Sequence, residues 1–231
     1  MIRRLLAAIL ALLTLTAGLA VWFFLAAPAV EPLPLADDLI ALDSPEGQRL
    51  LAESVRADHS ALSDAFQPQE RRAWCGVASS AITLTALGQP TDQAGVFTDA
   101  AADVRAPWLA SISGMTLAEL AGILSAHGLA ATAHHADAST RADFRAAAAS
   151  NLQRSEDLLL INYHRQELSQ EGAGHISPVS AYHVDSDRFL VMDVAAHKYP
   201  PVWVAADRLW AAMDTEDTTA GRSRGWVTVS P

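Results

Sequence analysis

The order of the predicted helices and strands is the feature that most restricts the fold of this chain. Helical patterns come first, at residues 76–87 and after the capping-box pattern at residues 116–119. Strand patterns come later: an apolar run at residues 157–164, two strands joined by a polar turn at residues 175–195, and a last run at residues 225–230. Helices followed by antiparallel strands indicate an α+β fold.

The only cysteine of the 231-residue sequence, Cys75, stands where the helix over residues 76–87 is predicted to begin. The partial positive charge of a helix start lowers the pKa of a thiol, and the thiolate is the attacking species. Gln69 lies upstream in the predicted loop before this helix, where its side-chain amide can donate to the oxyanion formed when a thiolate attacks a carbonyl. A lone cysteine is more often a small buried apolar residue, so this segment alone leaves both interpretations open.

A base for the thiol, and a group to orient that base, are available in the predicted hairpin. If the hairpin is symmetric about Val184, then His175 and Asp193 are cross-strand partners, with Cβ atoms roughly 4.5–5.5 Å apart. The carboxylate would hold the imidazole from behind while the imidazole takes the thiol proton. Taken singly, each residue is more simply explained as a polar strand end. Together with Cys75, they favour nucleophilic catalysis.

The N-terminal segment predicts a membrane anchor. An uncharged, apolar run extends from residue 5 to residue 30, directly after Arg3 and Arg4. About 20 apolar residues cross a bilayer, and the two arginines favour an N-terminus in the cytoplasm. We therefore expect an uncleaved membrane-spanning helix in the inner membrane, with a cleaved signal segment as the alternative, and a domain in the periplasm.

Composition restricts the partners. The formal net charge of −10 argues against a nucleic-acid partner, because no basic patch stands out to neutralise phosphates. One cysteine cannot form an intramolecular disulfide, and no Cys-x-x-Cys or His-Glu-x-x-His spacing predicts a zinc site. No metal ligands are therefore proposed from the sequence, and it leaves open whether the chain forms a homodimer.

Several motifs between residues 67 and 230 occur in the same order in one known family. They are WCGVAS at residues 74–79, YHR at 163–165, GAGHISP at 172–178, MDVA at 192–195, KYPPVWV at 198–204, LWAAMD at 209–214 and RGW at 224–226. In these motifs the chain resembles the phytochelatin synthases, which are papain-like thiol transferases that act on glutathione. The resemblance implies a papain-like cysteine protease fold, with the nucleophile helix packed on an antiparallel sheet. The apolar run and the prolines after it divide the rest of the chain into an anchor or signal segment at residues 1–30 and a proline-containing linker at 31–45, which leaves a catalytic domain at 46–231.

The resemblance assigns a role to each candidate site residue. It implies that Cys75 is the nucleophile, that His175 is the base and acid, and that Asp193 orients His175. It also implies that Gln69 donates to the oxyanion, and that Asp217 and Arg224 hold the γ-glutamyl end of the substrate. The implied reaction cleaves the Cys–Gly bond of glutathione and transfers γ-glutamylcysteine to another glutathione or to water. No intrinsic cofactor is expected, and heavy-metal ions such as Cd or Zn would take part as metal–glutathione complexes.

Two departures from the plant members of the family affect these expectations. Plant members carry an arginine shortly after the catalytic aspartate, where this chain has Ala196, so weaker binding of an acceptor glutathione and substantial hydrolysis are expected. Their cysteine-rich C-terminal extension has no counterpart up to Pro231, so metal sensing through it is not expected. The alternatives are a tethered papain-like peptidase that cleaves other peptides, and a non-catalytic module that binds thiols or metals.

Overall fold

The helices of the chain are mostly short and lie mainly in its first two thirds. The computed structural model describes residues 2–231, apart from the side chains of residues 2, 5, 7, 8, 17 and 20; Met1, the first residue of the expected anchor, lies outside the described residues. The α-helices run over Ile2–Leu25 (α1), Pro45–Ala52 (α2), His59–Asp64 (α3), Cys75–Ala86 (α4), Asp99–Val104 (α5), Pro107–Ser113 (α6), Leu117–Ala126 (α7), Arg141–Asn151 (α8) and Ala206–Met213 (α9).

The strands build one large antiparallel sheet and one small hairpin. They run over Ile40–Ala41 (β1), Ala130–His135 (β2), Leu158–His164 (β3), Gly174–His183 (β4), Arg188–Val191 (β5), Val202–Ala205 (β6), Glu216–Asp217 (β7), Arg222–Ser223 (β8) and Gly225–Ser230 (β9). The order in the large sheet is β1-β6-β5-β4-β3-β9-β2, and β7 pairs with β8 alone. The α+β arrangement expected from the sequence is therefore present.

Helices cover both faces of the large sheet, which explains why β3 is apolar at consecutive positions. Successive strand residues point to opposite faces. Leu158 and Leu160 lie in the core cluster that contains α4 and α7, whereas Leu159 and Ile161 lie in the cluster that contains α8 and α9. Full burial of such a side chain contributes about 1.5–3 kcal/mol. β3 and its neighbour β4 therefore form the rigid centre against which α4 is held.

The prediction of a membrane-spanning helix is wrong, and so are the predictions of an inner-membrane anchor and a periplasmic location that depend on it. A span needs about 20 consecutive apolar residues in helical form. Among residues 2–231, no helix combines the length and the apolarity that crossing a bilayer requires. α1 ends at Leu25, before the end of the apolar run over residues 5–30.

The segment after α1 is hydrogen-bonded to the loop before β6. The backbone N–H of Glu31 donates to the carbonyl of His197 (2.8 Å), and that of Leu33 donates to the carbonyl of Lys198 (2.9 Å). At the end of α1, the guanidinium carbon of Arg72 lies 4.4 Å from the ring centroid of Phe23. The proposed boundaries at residues 30 and 45 stay a prediction.

Candidate active site

Cys75 is the first residue of α4, and two contacts fix this helix start. The indole N–H of Trp74 donates to the hydroxyl of Ser111 in α6 (3.0 Å), and the hydroxyl of Ser79 donates to the carbonyl of Ile176 in β4 (3.2 Å). No side chain caps the start of α4, so its first backbone N–H groups are left for another acceptor. The half-buried thiol of Cys75 therefore lies beside β4 and at the positive end of a helix.

His175 lies beside Cys75 and is hydrogen-bonded to Asp193. The ring of His175 is 5 % exposed, and its Nε2–H donates to Oδ1 of Asp193 (2.9 Å). An ionised carboxylate only accepts, so Nε2 carries the proton and Nδ1 is left for the thiol. The thiol of Cys75 lies beside this ring, because the two residues line the same cavities. Tyr163, the cross-strand partner of His175 in β3, packs its ring edge-on at 5.6 Å between centroids.

The charges of this group favour a thiolate–imidazolium pair. Burial alone would raise the pKa of Cys75, but the hydrogen bond and the charge of His175 outweigh it, so the pKa of the thiol is lowered. Burial and the cation of Arg165 act to lower the pKa of His175, but Asp193 outweighs them and the pKa of the imidazole is raised. Burial would likewise raise the pKa of Asp193, but the cations of His175 and Arg165 hold it well below its usual range. These directions make Cys75 the acid and His175 its base.

The route by which Asp193 reaches His175 differs from the expected one. The hairpin is not symmetric about Val184: His183 pairs with Arg188, and a bulge follows between Val179 and Ala181. β5 ends at Val191, two residues before Asp193. Oδ1 of Asp193 also accepts from the backbone N–H of Ala195 (2.8 Å), which turns the chain out of the strand. The contact between the two side chains is present, but it is made from a turn and not from a cross-strand pair.

Gln69 lies next to the site, with its amide turned towards its own loop. Its backbone N–H donates to the carbonyl of Val194 (2.8 Å), which brings it near Asp193. Its side-chain Nε2 donates to the carbonyls of Arg71 and Arg72 (both 3.0 Å), and its Oε1 has no partner. To donate to an oxyanion, Gln69 would have to release one of these carbonyls. Its role as oxyanion donor stays a prediction.

Two cavities of similar size meet at Cys75 and His175. Cavity A, about 250 Å³, extends from these residues to Asp217 and Arg224, the two residues assigned to the γ-glutamyl end. The guanidinium of Arg224 is held by the hydroxyl of Thr215 (3.1 Å) and the carbonyl of Glu216, and its Nε is buried without a partner. The structure thus brings Asp217 and Arg224 into the same cavity as the thiol.

Cavity B, about 260 Å³, lies on the other side of the thiol. Its lining includes the cationic residues Arg72, Arg165 and Lys198, and residues 171–174. The ammonium of Lys198 lies 4.0 Å from the carboxylate of Glu171. A group bound across the thiol would therefore have one part in each cavity.

One buried cation, Arg165, was not among the residues chosen from the sequence. Its Nη2 donates to Oδ1 of Asp193 (2.8 Å), so it belongs to the same chain of hydrogen bonds as His175. The signal in the sequence was an arginine at the end of the strongly apolar β3, where a charge needs a buried partner. Asn162, which is 3 % exposed and lines cavity A, was also missed.

Residues suited to binding a metal are not gathered anywhere in the described part of the chain. Within residues 2–231, no three His, Cys, Asp or Glu side chains come close enough together to hold an ion. The adjacent His134 and His135 make different contacts: His134 stacks on Trp226, and a ring nitrogen of His135 lies 2.6 Å from the carbonyl of Ser223.

Comparison with known proteins identifies relatives that share most of this chain. The family model described as phytochelatin synthase matches residues 30–226. Glutathione gamma-glutamylcysteinyltransferase 3 of Lotus japonicus is 32 % identical over 87 % of this chain and 43 % of its own length. Glutathione gamma-glutamylcysteinyltransferase 1 of Triticum aestivum is 34 % identical over 87 % of this chain and 42 % of its own. The chain spans less than half the length of these relatives. A match to the family model from residue 30 to residue 226 confirms the resemblance found in the motifs: the chain belongs to the phytochelatin synthase family.

Proposed function

We propose that this chain is a thiol-dependent acyltransferase that cleaves the Cys–Gly bond of glutathione and passes the γ-glutamylcysteinyl group to a second glutathione or to water. The relatives named above are called glutathione gamma-glutamylcysteinyltransferases. The observation that carries the proposal is the position of Cys75 beside the Asp193-bound His175, where both residues line two cavities.

The first half-reaction forms a thioester. Nδ1 of His175 takes the thiol proton, and the sulfur of Cys75 attacks the cysteinyl carbonyl of glutathione. The uncapped backbone N–H groups at the start of α4 offer donors to the oxyanion. The imidazolium then gives its proton to the nitrogen of the departing glycine as the C–N bond breaks. Asp193 stabilises the imidazolium between these two steps.

Each cavity holds the part of the substrate on one side of the scissile bond. The γ-glutamyl end carries an ammonium and a carboxylate, which match the carboxylate of Asp217 and the guanidinium of Arg224 in cavity A. The glycine end then lies in cavity B, whose Arg72 and Lys198 carry the charge opposite to its carboxylate.

The second half-reaction decides between transfer and hydrolysis. An amine that attacks the thioester reverses the path of the departing glycine, so the acceptor glutathione must also enter through cavity B. Ala196, between the lining residues Ala195 and His197, offers no charge to hold the acceptor, which favours attack by water. We further propose that glutathione thiolates bind Cd or Zn ions as ligands, so that a metal–glutathione complex is part of the substrate.

The experiment incubates the purified chain with glutathione, with and without cadmium, and follows glycine release and longer γ-glutamylcysteinyl oligomers. A mass spectrum after brief exposure should show an adduct of glutathione minus glycine on Cys75. Cys75→Ser should lose both the adduct and glycine release, while Asp207→Asn, an exposed position away from the site, should retain them.

Each outcome separates one alternative. Glycine without longer oligomers leaves the hydrolase, and an unchanged rate in Cys75→Ser removes the proposed nucleophile. Equal cleavage of an α-linked Glu-Cys-Gly peptide favours the peptidase alternative. Failure of the intact parent chain to release glycine or to form an adduct would leave the non-catalytic module.

A further inference from the structure

Arg165 is a buried cation in the lining of cavity B, and the proposed reaction has not yet given it a role. It follows β3 directly, is 4 % exposed, and divides its two terminal nitrogens between two partners. Nη1 donates to Oε1 of Gln170 (2.7 Å), and Nη2 donates to Oδ1 of Asp193 (2.8 Å). The ring of Tyr199 lies 5.2 Å from the guanidinium carbon, and a Cβ on Gly172 would lie 3.0 Å from Cδ of Arg165. The side chain therefore has little room to move.

The contact with Asp193 is made on the atom that also holds the base. Oδ1 of Asp193 accepts from Arg165, from Nε2 of His175 (2.9 Å) and from the N–H of Ala195, while Oδ2 has no partner among the described residues. Anything that moves this oxygen moves the imidazole. A buried carboxylate also needs a cation near it, and His175 is cationic during only part of the reaction.

We propose that Arg165 is a positioning residue, which keeps Asp193 fixed and ionised while His175 alternates between neutral imidazole and imidazolium. Without Arg165, the carboxylate would be left with no hydrogen-bonded cation each time the imidazolium gave its proton to glycine. The division of the guanidinium between Gln170 and Asp193 explains the choice of residue: lysine has the charge, but a single nitrogen cannot reproduce a planar fork.

The effect of Arg165 on the pKa of its charged neighbours can be measured. The titratable and charged groups that face it and His175 are Cys75 on α4, Tyr163 on β3, Asp193 after β5, Glu171 before β4, and His197 and Lys198 in the loop before β6. The cation of Arg165 acts to lower the pKa of both Cys75 and His175, whereas Asp193 raises the pKa of His175. Loss of Arg165 and loss of Asp193 should therefore shift the titration of His175 in opposite directions.

The test measures alkylation of Cys75 by iodoacetate across the pH range. Because Cys75 is the only thiol of the chain, the rate reports on this site alone. The rate of alkylation by an anionic reagent rises with pH as the thiolate forms and falls when the neighbouring imidazolium loses its proton. We call the rising and the falling part of this pH profile its two limbs. In Arg165→Met both limbs should move to higher pH by about one unit, because a neighbouring charge shifts a pKa by that amount or more. In Asp193→Asn the limb of His175 should move to lower pH.

A second variant separates charge from position. Arg165→Lys should keep both limbs near those of the parent and yet slow glycine release from glutathione by about tenfold to a hundredfold, because the base is less well placed. Unmoved limbs in Arg165→Met, or a shift in the same direction as in Asp193→Asn, would overturn the inference. If Arg165→Met does not give the near-UV circular dichroism of the parent, Arg165→Lys decides alone, and parent-like glycine release then overturns it.

The glycine-release measurement rests on the proposed function, but the alkylation limbs do not. A parent chain that releases no glycine from glutathione refutes the proposed substrate. The opposite shifts in Arg165→Met and Asp193→Asn would still stand as evidence for the role of Arg165.

Discussion

Replacing Asp193 by asparagine tests how much the buried charge group contributes to the fold. The carboxylate is fully buried and accepts charge-assisted hydrogen bonds from Arg165 and His175. Removing one partner of a buried ion pair costs about 3–5 kcal/mol, because the remaining charge is left without compensation. Since a domain has a free energy of unfolding of about 5–15 kcal/mol, Asp193→Asn should lose a large fraction of it.

The loss should depend on pH in a defined way. The pKa of Asp193 is held below its usual range, so its contribution is complete above about pH 4 and is lost as the pH falls through the folded value. The pKa of His175 is raised, so its contribution is complete below about pH 6.5 and is lost as the pH rises through the folded value. The difference between parent and variant should be largest between about pH 4 and pH 6.5.

Urea denaturation of the parent and Asp193→Asn at several pH values measures this difference. Asp207→Asn is the control, because Asp207 pairs with Arg141 at the surface, where an ion pair contributes about 0–1 kcal/mol. If Asp193→Asn unfolds at the same urea concentration as Asp207→Asn throughout the pH range, then the buried group does not stabilise the fold and the reasoning is wrong.

Three further predictions concern the site and its support. Gly174→Ala should raise KM for glutathione, because its Cβ would lie 3.1 Å from Nη2 of Arg224 and push the guanidinium out of place; an unchanged KM would argue against Arg224 as a substrate contact. Thr116→Ala removes the capping box that Thr116 forms with Glu119 and should lower the free energy of unfolding by about 1 kcal/mol in urea melts. Iodoacetamide should alkylate Cys75 below the pH range of an ordinary thiol in the native chain, and within that range in urea, since the lowered pKa depends on folded neighbours; equal profiles would refute it.

Local signals predicted several elements closely. The cap at Thr116 marks the start of α7, and the predicted strand over residues 225–230 coincides with β9. The predicted helix over residues 76–87 corresponds to α4 over Cys75–Ala86. Such signals depend on side chains a few residues apart, which the sequence states directly. The expected anchor is wrong because apolar composition alone did not establish a helix that meets the requirements of a bilayer.

The details of the site depend on contacts between distant segments. The hairpin was expected to be symmetric, but the turn that Asp193 makes with Ala195 ends β5 early. The amide of Gln69 points to its own loop, and residue type alone does not state such an orientation. The pairing of Arg165 with Asp193 joins residues from two different elements, so it is seen only in the folded structure. The catalytic roles themselves, the papain-like fold and the state of assembly stay predictions.

The location of β9 within the sheet affects when the thiol becomes reactive. Residues 225–230 lie between β3 and β2, so the interior of the sheet stays incomplete until they are inserted. Pairing of strands so far apart along a polypeptide is slow, because much chain entropy is lost before the contacts form. On a ribosome, Cys75 is synthesised long before His175 and before β9. The nascent protein therefore carries an ordinary thiol at Cys75, whose pKa is lowered only after the strand of His175 has joined the sheet.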